Sequence, residues 1–110
     1  LEGDITVAVE RTGNDSQVVE KQKEKVKEPD MYRVVLHNDD YTTMEFVVEV
    51  LVKVFKKTVV QATSIMLDVH RKGQGQVGVY TYDIAQTKVK QVRQMARERE
   101  FPLKCTMEKA

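Results

Sequence analysis

The chain has no tryptophan, a single cysteine, two prolines and no long apolar run in its 110 residues. Each shortage excludes something. One cysteine, Cys105, cannot close an internal disulfide, which points to a reducing compartment. Without about 20 consecutive apolar residues no helix spans a bilayer, and no secretory apolar segment is present, so a cytoplasmic location and no membrane partner are expected. An excess of one charge is missing as well. The 18 Lys and Arg nearly balance the 17 Asp and Glu, unlike the basic field of a protein that grips a phosphate backbone. The balance hides an asymmetry: residues 1–30 hold five basic and eight acidic side chains, and residues 31–110 hold thirteen and nine. The first residue is Leu1 rather than Met, which reads as a truncated, processed or tagged terminus.

What is present suffices for one domain. A hydrophobic content of 41% supports a single core, and 32% charged residues give it a solvated surface. Residues 1–30 are polar and charge-mixed. Ile5, Val7 and Val9 alternate there, but one such trio makes no stable strand without a partner. A flexible tail over residues 1–30 and a core domain over 31–110 are therefore expected.

The core opens with an alternating run, Met31 to His37, with Tyr32, Val34 and Leu36 on one face. Met44, Val47, Val48, Leu51 and Phe55 follow helical spacing, with Glu45, Glu49 and Lys53 as the polar stripe. A second helix starts at Thr58, whose spacing to Gln61 is that of a capping box, and carries Ala62, Ile65, Met66 and Val69 up to Gly73 and Gly75. Val77 to Tyr80 reads as a short strand. A third helix, capped by Asp83 or Thr81, bears Ile84, Val89, Val92 and Ala96 and stops before Pro102. Leu103, Cys105 and Met107 alternate in a last strand. The order is β-α-α-β-α-β, an α+β domain with helices on one face of a three-stranded antiparallel sheet.

Between the first strand and first helix stand three acceptor side chains, Asn38, Asp39 and Asp40. Thr42 and Glu45 follow with a second capping-box spacing. Oxygen acceptors held on a short junction between two rigid elements suit a cation. His70, four residues after Met66, shares that residue's helix face. An enzyme is not expected: no Ser or Cys nucleophile has a base at recognisable spacing, and Gly73-Gln74-Gly75 lacks the third glycine of a phosphate loop. Nor is a metal or other cofactor, since no metal-ligand motif organises His37, Asp39, Asp40 and His70. The cations Lys88, Lys90, Arg93, Arg97 and Arg99 read first as a solvated helix face, and second as the basis of a ribosome- or nucleic-acid-associated module. No aromatic platform interleaves them.

The run from Tyr32 through Leu51, with Asn38-Asp39-Asp40-Tyr41-Thr42 and Met44-Glu45-Phe46-Val47, strongly resembles ClpS, the adaptor family of the bacterial ATP-dependent Clp protease. The likeness continues through Val69-His70, Gly73, Thr87-Lys88-Val89, Pro102-Leu103 and Glu108, and spans residues 31–110. The resemblance implies an adaptor without catalysis. Such adaptors bind proteins bearing N-terminal Leu, Phe, Tyr or Trp and hand them to the N-terminal domain of a Clp-family unfoldase, with no nucleic acid involved. Carried over by position, Asn38, Asp39 and His70 would bind the degron's α-amino group. Thr42, Met44, Val47, Met66, Val69 and Leu103 would line the side-chain pocket, and Asp83 and Lys88 would face the unfoldase. Thr43, Asp83 and Gln86 depart from the family, where Pro, Glu and Glu are frequent; Thr43 in place of Pro is expected to loosen the first helix's start.

Overall fold

The computed structural model describes residues 29–110 in full and, ahead of them, the backbone of four short strands. These are β1 (Glu2–Ile5), β2 (Val9–Thr12), β3 (Gln17–Glu20) and β4 (Glu24–Lys27). β1 pairs antiparallel with β4, and β2 with β3; neither ladder joins the sheet of the core. Ile5 thereby lies opposite Glu24 and Val9 opposite Glu20, partners that their own alternation did not name. Val7, the middle of that trio, lies outside the described residues.

The core follows the expected order: β5 (Met31–His37), α1 (Met44–Lys53), α2 (Val59–Lys72), β6 (Gln74–Thr81), α3 (Tyr82–Glu98) and β7 (Lys104–Lys109). β5 is the central strand of an antiparallel sheet ordered β6-β5-β7. Val34 and Leu36 turn toward the helices and are fully buried beside Val50, Leu51, Val92 and Cys105. The register places His37 opposite both Gln74 and Lys104, and Met31 opposite Thr81. One end of the sheet thus carries the β5–α1 junction, and the other leads into α3.

Helix limits and faces differ from the sequence reading at several points. α1 ends at Lys53, not Phe55, and its buried residues are Phe46, Val47, Val50 and Leu51. Met44 is 42% exposed, because the first residue of the helix overhangs the junction rather than the core. On α3 the buried stripe is Ala85, Val89, Val92 and Ala96, whereas Ile84 is half exposed. The two alanines let that helix approach the sheet closely. Thr81 occupies the α3 N-cap position but makes no side-chain capping bond, and Asp83 sits within the first turn.

Only Gly73 ends α2, as a left-handed cap at φ 88° that few other residues adopt without cost. Gly75 belongs to β6, which is longer than the expected Val77–Tyr80 strand. A Cβ on Gly75 would lie 2.8 Å from Val69 Cγ2 and 3.3 Å from the Ile65 carbonyl oxygen. Its absence lets α2 lie against β6. Cys105 is a core residue: burial pushes its thiol up to about 12, only partly offset by Arg93, so it packs as a small hydrophobe.

Candidate functional site

At the His37 end of the sheet, β5 passes into the segment Asn38 to Thr43. The Asn38 N–H donates to the Gly73 carbonyl at 2.9 Å, tying the end of β5 to the turn that closes α2. Two segments over thirty residues apart in sequence meet through this bond. His70, in the last turn of α2, thereby comes to the same cavity as Asn38 and Asp39.

Asp39 organises the junction. Its Oδ1 accepts from the Tyr41 N–H at 2.8 Å and the Thr42 N–H at 2.7 Å, and its Oδ2 accepts from the Thr42 hydroxyl at 2.7 Å. Burial pushes its carboxyl up, but the bonds from the Thr42 amide, Thr42 hydroxyl and Tyr41 amide together hold it below the usual carboxylate value. The side chain is therefore an anion at neutral pH. About four lone-pair positions exist on a carboxylate, so these three bonds leave one for a ligand.

The expected capping box at Thr42 and Glu45 does not form. Thr42 gives its hydroxyl to Asp39, and the residue that caps α1 is Thr43, whose Oγ1 accepts from the Phe46 N–H at 3.2 Å. Thr43 thus secures the helix start that it was expected to loosen. The α2 box is complete: Thr58 Oγ1 accepts from the Gln61 N–H at 3.2 Å, and Gln61 Oε1 accepts from the Thr58 N–H at 3.1 Å.

The cavity, about 280 Å3, is lined by Asn38, Asp39, Asp40, Thr42, Met44, Val47, Met66, Val69 and His70. Eight of these are the site residues expected by position. Its acceptors come from the junction and the end of α2. Apolar groups come from the first turn of α1 and the inner face of α2, where Val47, Met66 and Val69 are buried and Met44 is not. Such a space accepts a group that is cationic at one end and apolar at the other.

Asp40 is the wall residue that the positional assignment passed over; its place directly after Asp39 was the available signal. Leu103 is the converse. It is buried in the core and borders a separate groove with Arg93, Arg97, Phe101 and Pro102, not this cavity. Asp83 and Lys88, the pair expected to face the unfoldase, lie elsewhere too. Asp83 is exposed in the first turn of α3, beyond the Thr81 end of β6. Six steps along β5 separate the two ends of the sheet, about 20 Å at a strand's rise. Lys88 is not simply a solvated cation: its Nζ donates to the Val54 carbonyl at 2.9 Å and lies 5.6 and 5.5 Å from the Phe55 and Tyr80 ring centroids.

No group of three or more side chains suited to a metal ion occurs among the described residues. Nor is any described helix long and apolar enough to cross a membrane. A larger depression on α3 is lined by Lys90, Arg93, Gln94, Arg97 and Glu98.

Comparison with known proteins brings these features together. Residues 27–106 match the family model described as ATP-dependent Clp protease adaptor protein ClpS. The adapter protein ClpS of Syntrophus aciditrophicus is 65% identical over 86 residues, covering 78% of this chain and 80% of that protein. That of Acetivibrio thermocellus is 67% identical over 82 residues, covering 74% and 83%. Among solved structures, Agrobacterium tumefaciens ClpS2 bound to L-phenylalaninamide aligns with a TM-score of 0.73 and 41% identity, over 76% of this chain and all of that one.

Proposed function

The chain belongs to the ClpS family of ATP-dependent Clp protease adaptors, and from that premise we propose that it binds proteins with a bulky hydrophobic N-terminal residue and delivers them to a Clp unfoldase for degradation. The observation that carries this reading is the cavity whose lining joins Asn38, Asp39 and His70 with Met44, Val47, Met66 and Val69. A free α-amino group is mostly cationic at neutral pH and carries three donors. Asn38 Oδ1, Asp39 Oδ2 and a ring nitrogen of His70 supply three acceptors, and the side chain of Leu, Phe, Tyr or Trp enters between the methionines. L-phenylalaninamide, the ligand of the related ClpS2 structure, has the same two parts, a free amine and an aromatic side chain.

The energies suit a transient adaptor. Hydrogen bonds to a charged group contribute about 1.5–3 kcal/mol each. Burying a Leu or Phe side chain adds about 1.5–3 kcal/mol. Association costs several kcal/mol or more, which leaves an affinity on the order of micromolar. Flexible, polarizable methionines accommodate both branched and planar side chains.

Delivery requires a second surface. In this reading Asp83 and Lys88 mark the face for the N-terminal domain of the unfoldase, far enough from the cavity for both ligands to be held at once. Lys88 contributes there by holding α3 against the end of α1. Residues 1–30 act as a tail that engages the unfoldase, and residues 31–110 form the binding domain. The adaptor works in the cytoplasm, performs no catalysis, and needs no cofactor, membrane or nucleic acid. No aromatic residue stands among the lining of the α3 depression to stack a base, so the nucleic-acid reading gains no support.

The test is a titration of one peptide with N-terminal Leu, free and acetylated. Acetylation removes the charge and two donors, so affinity should fall at least about 100-fold, about 2.7 kcal/mol. Equal affinity for the two peptides would sink the assignment.

A further inference from the structure

We propose that Thr42, placed by family position in the apolar wall of the pocket, is instead a positioning residue that fixes Asp39 for the ligand's α-amino group. The inference rests on the degron-binding reading above. Its basis is the direction of one hydrogen bond. Asp39 is ionised and can only accept, so the 2.7 Å contact between Thr42 Oγ1 and Asp39 Oδ2 must carry the hydroxyl proton.

Two consequences follow. Terminal carboxylate torsions are broad, and the two amide bonds to Oδ1 hold only one oxygen. The hydroxyl holds the other and so sets the plane of the carboxylate, together with the direction of its last free lone pair. With its proton committed, Thr42 Oγ1 itself has only lone pairs to offer the cavity, a surface that attracts an ammonium group. Threonine suits this role because branching at Cβ stiffens χ1.

The surroundings leave the anion waiting for a cation. Asp39 makes no ion pair among the described residues. The titratable groups sharing its cavity are Asp40 from the same segment and His70 from α2. The bonds that organise Asp39 also keep its carboxyl below the usual value, so the geometry and the charge state have one source.

The experiment compares Thr42→Val and Thr42→Ser with the wild type, titrating a peptide with N-terminal Leu from neutral to acidic pH. Val keeps the shape and loses the hydroxyl. Its affinity at neutral pH should fall roughly tenfold, about 1.4 kcal/mol, and the acid-side midpoint of its binding profile should move to higher pH. Ser keeps the hydroxyl and should restore both to near the wild-type values. Should Val disturb folding, as a melting curve would reveal, Thr42→Ala takes its place and must bind as weakly as expected of Val. Wild-type affinity in the hydroxyl-free variant overturns the inference, as does a Ser variant as weak as Val, which would make the methyl group the functional part. If the wild-type protein itself ignores the free N-terminus, the degron reading fails and this inference with it. If the wild type binds and loss of the hydroxyl changes nothing, the inference alone fails.

Discussion

The starts of α1 and α2 carry the same sequence signature and use it differently. Thr58 and Gln61 complete a reciprocal capping box, with bonds of 3.2 and 3.1 Å, and so satisfy the first amides of α2. At α1 the matching pair, Thr42 and Glu45, stays apart. Asp39 takes the Thr42 hydroxyl, and capping passes to Thr43 one residue later. The first residues of the two helices repeat the contrast. Val59 projects into solvent at 64% exposure, whereas Met44, at 42%, overhangs a cavity. A helix start can thus spend its polar groups on its own amides or on a ligand, and neighbouring residues decide which.

The deepest cut into this contrast is Asp39→Ala, which removes the carboxylate and all three of its bonds. Affinity for a peptide with N-terminal Leu should fall at least about 100-fold, about 2.7 kcal/mol, measured by calorimetric titration. A variant retaining tenfold-weakened binding would mean that the other acceptors suffice. Acid should make the same cut reversibly. The Asp39 carboxyl is depressed below its ordinary 3.8, so the stability it contributes is complete above that value. That contribution is lost as pH falls through the lower folded-state value. Peptide binding should decline in that acidic window in the wild type but not through this route in Asp39→Asn.

Met44→Ala should cost about 1–2 kcal/mol of Leu-peptide affinity through lost contact. It should also admit the β-branched N-terminal residues Ile and Val, which are wide at their first carbon. Val59→Ala should leave both measurements unchanged. Retained discrimination in Met44→Ala would show that the rim does not select.

Thr58→Ala tests the purely structural start. It should lose about 1 kcal/mol of stability, a drop of several degrees in melting temperature, with peptide affinity intact. Glu45→Ala is the smallest change. Glu45 is exposed and forms no capping box, so stability should move by no more than about 0.5 kcal/mol. A full cap's loss there would restore the Thr42–Glu45 pairing that the spacing suggested.

Much of the fold was legible because hydrophobic period is a local property. Val34 and Leu36 against Arg33, or Ala62, Met66 and Val69 along α2, announce their faces without reference to anything distant. The acceptors were legible as residue types, since Asn38 and Asp39 end a strand. Their meeting with His70 was not, because it depends on the bond from Asn38 to Gly73 and on the path of β6 between them. Family likeness, not spacing, supplied that link. The Thr42–Glu45 spacing misled for a physical reason: the motif counts residues within a helix start and is blind to Asp39, which competes from outside it. Lys88 was hidden similarly. On its own helix it reads as part of a basic face, and its acceptor, the Val54 carbonyl, lies thirty-four residues away.

The strap from Asn38 to Gly73 bears on rates as well as shape. With Asn38 tied to α2, Asp39 held by three bonds and α1 capped at Thr43, the walls stand in place before any ligand arrives. A ligand that need not wait for a loop to order associates at a speed set by diffusion and orientation. Leu and Phe termini should then arrive at similar rates, and discrimination among them should reside in how long each stays. The Asn38 amide reports on this directly: slow exchange of its hydrogen with solvent in the free protein is the signature of a cleft that is already closed at its hinge.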